Sequence, residues 1–272
     1  MRLSFYTYSY TDRLNLPVAD CLARIAKAGY TGIDESGTFG ASEDPRSVTP
    51  ERRKLVRDVA RQHRLSVEAV VTHAELTTTL ARKSPLDLKG SVDLAVDLGA
   101  RVVTFHMGGP APGQSAGDAW REVVEALLPA VRYAEARHVS IVVDGIWHTW
   151  IVDSPDNLQR LFDDVGESDF GVNFDPCYLT LMGLDPAQFA RRFAARIRHV
   201  HLKDHVGKYP KFEHRIPGQG DMNYVPIFAA LAEVKFTGSM AVECFTNMKF
   251  EEACDSGHAA MTAALRKAGV QR

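Results

Sequence analysis

The sequence predicts an α/β fold of one domain, a (β/α)8 (TIM) barrel spanning residues 1–272. Three observations point there. Short β-rich runs alternate with longer helical runs along the whole chain. Eight such pairs occur, at intervals of roughly 25 to 40 residues. Almost every β-run closes on a polar or charged residue, as strands do when their ends carry chemistry. A length of 272 residues suits this barrel, which usually needs about 250.

Leu3 to Tyr8 reads as the first strand, and Val18 to Ala28 follows with helical spacing of Leu22, Ile25 and Ala26 before Gly29 stops it. Thr31 to Glu35 is the second strand. Pro50 opens a helix to His63 with Leu55, Val56 and Val59 on one face. Ser66 to Thr72, rich in Val, is the third strand, and Pro85 starts a helix that ends at Gly99. Arg101 to His106 is the fourth strand, followed by a long helix from Ser115 to Arg137. Ile141 to Asp144 is the fifth, with a helix from Pro155 to Val165. Phe170 to Asp175 is the sixth, with a helix from Pro186 to Arg196. Ile197 to Lys203 is the seventh, with a helix from Tyr224 to Val234. Ser239 to Phe245 is the eighth, and a helix from Glu251 to Ala268 closes the chain. Regular β-then-α order implies parallel strands with right-handed crossovers. An open doubly wound sheet would need a Gly-rich turn after the first strand, and that turn reads Tyr8-Ser9-Tyr10-Thr11-Asp12. Two polar, Gly/Pro-rich loops, Gly108 to Gly117 and Val206 to Asn223, follow strands and belong on the face where such barrels react.

The chain carries 32 basic and 34 acidic residues and a net charge of −2. That gives no general attraction to nucleic acid or anionic membranes. A start of Arg2-Leu3-Ser4-Phe5 lacks the apolar run of a signal peptide, and no stretch approaches the roughly 18 apolar residues of a membrane span. Four cysteines without a C-x-x-C pair suggest no disulfide framework and a reducing compartment. The expectation is a soluble, cytoplasmic protein.

The strand ends gather the chemistry. The second strand ends in Asp34-Glu35, the third in Thr72-His73, the fourth in His106, the fifth in Asp144, the sixth in Asp175, the seventh in His201-Leu202-Lys203 and the eighth in Glu243. Buried charges cost several kcal/mol unless paired or bound to metal. Four consecutive strands ending in Asp, Asp, His and Glu converge on one side of a barrel. Three carboxylates and an imidazole suit one divalent cation, Mn²⁺ first, with Mg²⁺, Co²⁺ or Zn²⁺ as alternatives. His199 shares a face with His201 but lies deeper, as a barrel-interior histidine. Lys203 either reaches a substrate oxygen or pairs with a carboxylate. Glu35 lines the pocket, caps a helix or makes an ion pair.

These ends resemble the xylose-isomerase-like barrels, whose members include sugar isomerases and epimerases, hydroxypyruvate isomerase, inosose dehydratase and an apurinic endonuclease. The resemblance covers nearly the whole chain and rests on His106-Met107-Gly108, Phe174-Asp175-Pro176, His199-Val200-His201-Leu202-Lys203-Asp204, His214-Arg215-Ile216-Pro217-Gly218-Gln219-Gly220 and Ala241-Val242-Glu243. It implies metal ligands at Asp144, Asp175, His201 and Glu243. It also implies an acid/base pair of Asp144 and Glu243, a substrate contact from Arg215, and pocket histidines at His73 and His106. The metal would orient the oxygens of a ketone and stabilise an enediolate.

Two positions depart from that pattern. The strand-five residue is usually Glu and here is the shorter Asp144, with His148 four residues on as a substitute for part of its role. Tyr178 stands where epimerases carry His. Both weaken symmetric two-base epimerisation and leave Glu243 as the base of one-base chemistry. Tyr178 and the loop Phe212-Glu213-His214 also remove most of the endonuclease's third zinc site. The expectation is therefore a metal-dependent isomerase or epimerase of carbohydrate metabolism, acting on a keto-sugar or small hydroxy-carbonyl substrate. A lyase working by dehydration, decarboxylation or retro-aldol cleavage is the alternative, and a non-catalytic sugar- or partner-binding barrel the remote one. Trp147 and Trp150 fit either a cover over the substrate or a contact between copies in a homo-oligomer.

Overall fold

The computed structural model describes residues 1–36, 45–77 and 88–270. Its strands are β1 (Arg2–Tyr6), β2 (Gly32–Ser36), β3 (Ser66–Glu75), β4 (Val102–His106), β5 (Ser140–Asp144), β6 (Gly171–Phe174) and β7 (Ile197–Leu202). An antiparallel hairpin, β8 (Asp204–Lys208) and β9 (Lys211–Arg215), precedes β10 (Ser239–Val242). All but the hairpin strands are parallel and close into a barrel in the order β1-β10-β7-β6-β5-β4-β3-β2. The described helices are α1 (Tyr8–Thr11), α2 (Val18–Ala28), α3 (Pro50–Gln62), α4 (Leu88–Leu98), α5 (Ala116–Glu135), α6 (Pro155–Val165), α7 (Pro176–Leu181), α8 (Pro186–Arg192), α9 (Tyr224–Glu233) and α10 (Phe250–Lys267). None is long and apolar enough to cross a membrane.

Local chemistry sets the helix starts. Thr49, Ser154 and Asp185 each accept a hydrogen bond from a backbone N–H of the following turn, and each precedes a proline at the first helical position. Strand alternation then separates two interiors. Leu3, Phe5, Ile33, Val103, Phe105, Ile141, Val143, Val172, Phe174, Val200, Leu202 and Val242 point outward into one large apolar core under the helices. The opposite faces fill the lumen with Ser4, Tyr6, Asp34, Asp144, Asn173, His199, His201 and Ala241, all buried. The lumen is therefore polar, and its charges need partners.

Among the boundaries that differ from the sequence expectation, three lie around the barrel mouth. The first strand stops at Tyr6, because Thr7 turns back onto the carbonyl of Asp34 and Tyr8–Thr11 coil. Tyr10 is then fully buried, its ring 4.6 Å from Phe250, so packing overrides the β-propensity of an aromatic run. The segment Val206 to Asn223, expected as a loop, contains most of the β8–β9 hairpin; the alternation of Lys211-Phe212-Glu213-His214 is its sequence signal. Asp175 ends no strand and instead caps α7. The predicted start of the third helix at Pro85 lies outside the described residues.

Asp204 ties the hairpin to the following loop. Its Oδ1 accepts from the N–H groups of His205 (2.8 Å) and Met222 (3.1 Å), and its Oδ2 from those of Gly218 (2.8 Å) and Gly220 (3.1 Å). A Cβ on Gly220 would run into this carboxylate, so glycine is required for the approach. Asp204→Ala strands these donors, one of them buried and three partly so, at a cost of about 3 kcal/mol. Its melting midpoint should fall by roughly 6–12 °C, with new proteolytic cuts between residues 216 and 223. Calorimetry and peptide mapping check both.

Glu35 sits on the outer face of β2, alternating with Asp34, so it does not line the lumen. It is fully buried, and neither oxygen has a well-aligned hydrogen-bond partner among the described residues. Burial and the nearby Asp12 push its carboxyl up to about 8. The folded state therefore holds a proton that the unfolded chain has lost above the ordinary glutamate range. Its contribution to stability is present below that range and is lost as pH rises toward about 8. The melting midpoint of the wild type should fall between pH 5 and pH 9, and Glu35→Gln should flatten the fall. A wild-type slope retained in Glu35→Gln would contradict this account.

Candidate metal and active site

Parallel register stacks the functional residues at the C-terminal end of the barrel. Phe105 pairs with Val143, bringing His106 beside Asp144. Asp144 pairs with Asn173, and Ala241 with His201. The backbone N–H of Glu243 bonds to the carbonyl of Leu202, placing Glu243 beside Lys203.

At the floor, Asp34 binds two imidazoles. Its Oδ2 lies 2.6 Å from His199 Nε2 and 3.3 Å from His201 Nε2. Burial would raise the Asp34 carboxyl, but the charges and hydrogen bonds of the two histidines hold it below its ordinary value. Asp34, His199 and His201 can each offer a ligand atom within 4.8 Å of the others, so this trio is a possible metal-holding group. His199 is thus an interior histidine, as expected.

With Nε2 committed to Asp34, His201 turns Nδ1 upward. That nitrogen lies 2.9 Å from Glu243 Oε2 and 3.8 Å from Asp144 Oδ1. The Tyr6 ring stacks on the imidazole at 5.7 Å. Among the described residues, neither His201 Nδ1 nor Glu243 Oε2 has a properly directed hydrogen bond, although both are buried. Burial opposes charge on His201, but Glu243, Asp34 and Asp144 push its pKa up to about 10.

Asp144 is held from two sides, by the amide of Asn173 on Oδ1 and by His106 Nε2 at 2.9 Å on Oδ2. His106 is fixed by its Nδ1, 3.2 Å from the carbonyl of Thr72. Burial acts to raise the Asp144 carboxyl, yet the His106 hydrogen bond and the Lys203 charge hold it well below the carboxylate range. Asp175 is divided. Oδ1 caps α7 through the N–H groups of Cys177 (2.9 Å) and Tyr178 (3.2 Å), and Oδ2 lies 2.8 Å from Lys203 Nζ. Burial raises this carboxyl against the pull of Lys203. The Lys203 ammonium also meets Glu243 Oε2 at 3.0 Å and lies 4.4 Å from the Tyr178 ring centre. Glu243 is 12% exposed, and Lys203 and His201 overcome burial to hold its carboxyl at about 2.

Aromatic side chains rim the mouth. Trp147 packs on Tyr178 (4.9 Å) and Tyr209 (5.6 Å), Trp150 on His106 (5.7 Å), and His214 on Phe245 (4.4 Å). The structure thus gathers Asp144, Asp175, His201, Lys203, Glu243, His106 and Tyr178. It does not bring in Arg215, whose guanidinium turns to Glu213 at 2.7 Å. His148 is exposed, stacks on Tyr209 at 4.6 Å, and lines a lateral cavity of about 490 Å³ with His205 and Asp221. The side chain of His73 lies outside the described residues. Sequence reasoning gave no role to Asp34 or Asn173. Their signal was placement: each shares its strand's lumen face with no apolar reason to be there.

Among the described residues, only Asp34, His199 and His201 already bring ligand atoms within 4.8 Å of one another; the carboxylates above them have the chemistry a divalent cation takes. Four carboxylates, Asp34, Asp144, Asp175 and Glu243, face two cationic groups, Lys203 and His201. An imidazole whose second nitrogen is fixed by a carboxylate is the usual arrangement of a metal-bound histidine. His201 Nδ1 and Glu243 Oε2, both buried without directed hydrogen bonds among the described residues, stand as near each other as two ligands of one ion.

Known proteins share this architecture. Inosose dehydratase of Clostridium perfringens is 22% identical over 250 residues, covering 82% of this chain and 80% of that protein. The solved IOLI protein with a binding zinc atom superposes with a TM-score of 0.80 at 17% identity, covering 98% of this chain and 99% of that one. The probable 3-DHS dehydratase AsbF from Bacillus anthracis gives a TM-score of 0.79 at 14% identity, covering 96% and 99%. A family model described as the xylose isomerase-like TIM barrel matches residues 22–264, and the chain belongs to that family.

Proposed function

We propose that this chain is a metal-dependent enzyme that removes the proton beside the carbonyl of a small polyhydroxy ketone, with Glu243 as base, and that loss of water follows. The supporting observation is the contrast between its two rim carboxylates. Asp144 is locked by Asn173 and His106 and held far below the carboxylate range, which makes it a ligand and a poor proton carrier. Glu243 is 12% exposed, with Oε2 facing His201 and Lys203.

Asp144, Asp175, His201 and Glu243 would hold the cation, which supplies Lewis acidity toward the ketone and neighbouring hydroxyl oxygens. The chain's own residues do the rest. Asn173, His106 and Asp34 fix the orientation of the ligands. Glu243 takes the α-proton. The Lys203 ammonium, beside Glu243, is placed to give a proton to a departing hydroxyl. The aromatic rim of Trp147, Tyr178 and Tyr209 excludes water from the charge that develops. The name of the curated relatives, inosose dehydratase, agrees with elimination. The lyase alternative therefore moves ahead of isomerisation.

One observation favours the isomerase or epimerase reading. His106, backed by Asp144, is a second proton carrier away from Glu243, and two-base inversion needs one. The two readings separate when the protein is incubated with Mn²⁺ and polyhydroxy ketones, an inosose among them, in D₂O. Dehydration predicts loss of one water from a ketone. Solvent deuterium at the α-carbon without loss of water would transfer the assignment to isomerisation or epimerisation. Neither event on any ketone would remove the proton-abstraction reading.

A further inference from the structure

The same geometry assigns Lys203 a second property, which rests on the metal reading above. We infer that Lys203 is a tethered competitor for the divalent cation. Its ammonium and the metal claim the same two carboxylate oxygens, so loading the site displaces Lys203 from Asp175 and Glu243 toward the mouth.

Few ligand oxygens are free to take a cation. Asp175 spends Oδ1 on two backbone N–H groups at the start of α7, which leaves Oδ2 for any cation. That oxygen is 2.8 Å from Lys203 Nζ. Glu243 Oε2, which faces His201 Nδ1 at 2.9 Å, is 3.0 Å from the same ammonium. A transition metal bonds carboxylate oxygen at about 2.0–2.2 Å. A metal on these two oxygens would therefore stand within about 5 Å of an ammonium that keeps both contacts. Lys203 is 2% exposed, so water does not screen that repulsion.

The side chain has a route out. Lys203 rises from the end of β7, and its ammonium already lies 4.4 Å from the Tyr178 ring centre, an attractive surface for a cation. Tyr178 in turn packs against Trp147 at the mouth. Moving along that face carries the ammonium from the ligand oxygens to where a substrate oxygen would sit. An ion pair in the resting protein thus becomes a substrate contact in the loaded one. The two sequence-derived roles of Lys203, carboxylate partner and substrate contact, are then successive states of one side chain.

Calorimetric titration of Mn²⁺ into the wild type, Lys203→Met and Lys203→Arg tests the competition. Methionine keeps much of the stem without the charge, and arginine keeps the charge. Lys203→Met should bind Mn²⁺ at least tenfold more tightly than the wild type, and Lys203→Arg no more tightly. A Lys203→Met affinity equal to or weaker than wild type overturns the inference while leaving the metal reading intact. No Mn²⁺ binding by wild type and Lys203→Met overturns both. A second measurement needs no variant: the wild type is acetylated with and without Mn²⁺ and the Lys203 peptide is followed by mass spectrometry. Labelling of Lys203 should rise at least severalfold with Mn²⁺, and unchanged labelling overturns the displacement.

Discussion

Glu243→Gln should lower α-proton abstraction by about a thousandfold, the range expected for loss of a positioned general base. The fold should survive. Glutamine keeps the shape of glutamate, Lys203 keeps Asp175 at 2.8 Å, and His201 keeps Asp34. The melting midpoint should move by only a few degrees, since one buried anion with two cationic neighbours becomes neutral. Glu243→Asp separates the roles of the carboxylate. Withdrawn by one methylene, it should keep the charge that faces Lys203 and His201 yet misplace the base. Its rate should fall nearly as far as that of Glu243→Gln while Mn²⁺ binding is better preserved. Deuterium exchange followed by mass spectrometry and Mn²⁺ titration read the two effects apart. Exchange at the wild-type rate in Glu243→Gln would remove Glu243 as the base.

The second large effect belongs to Asp34. Its one carboxylate oxygen orients both lumen histidines, and it is fully buried. Asp34→Asn replaces an acceptor of two imidazole N–H groups by a neutral amide, and its NH₂ opposes a nitrogen if it turns the wrong way. Breaking such a buried charged network costs about 3–5 kcal/mol, which lowers the melting midpoint by roughly 6–20 °C. Function should suffer beyond stability. Loss of the partner that orients a ligand typically costs 10–100-fold in metal affinity. Mn²⁺ titration well below the new midpoint separates that loss from unfolding. Unchanged affinity in a folded Asp34→Asn would mean that His201 is not oriented through Asp34.

Much of this was readable in the residues. Eight β/α pairs and the apolar faces of the strands carry the barrel, because period-two and period-3.6 patterns are local. The strand-end residues Asp144, Asp175, His201, Lys203 and Glu243 could be named for the same reason: each follows an apolar run. Partners were harder to read, because pairing depends on register between strands far apart in sequence. Nothing local says that Asp34 meets His199 across 165 positions, or that Asn173 restrains Asp144. Arg215 illustrates the opposite case. Its motif suggested a substrate contact, but Glu213 lies two residues away on the same strand and takes the guanidinium. Asp175-Pro176 served two purposes that sequence could not separate, a helix cap on one oxygen and an ion pair on the other.

The central claim is one divalent cation at Asp144, Asp175, His201 and Glu243. Its most direct test is electron spin-echo spectroscopy of the protein loaded with one equivalent of Mn²⁺, with and without ¹⁵N-histidine. Bound Mn²⁺ should couple to a single imidazole nitrogen, that of His201. Coupling to two imidazole nitrogens would place the ion at Asp34, His199 and His201 instead, and failure to bind Mn²⁺ would contradict the claim altogether.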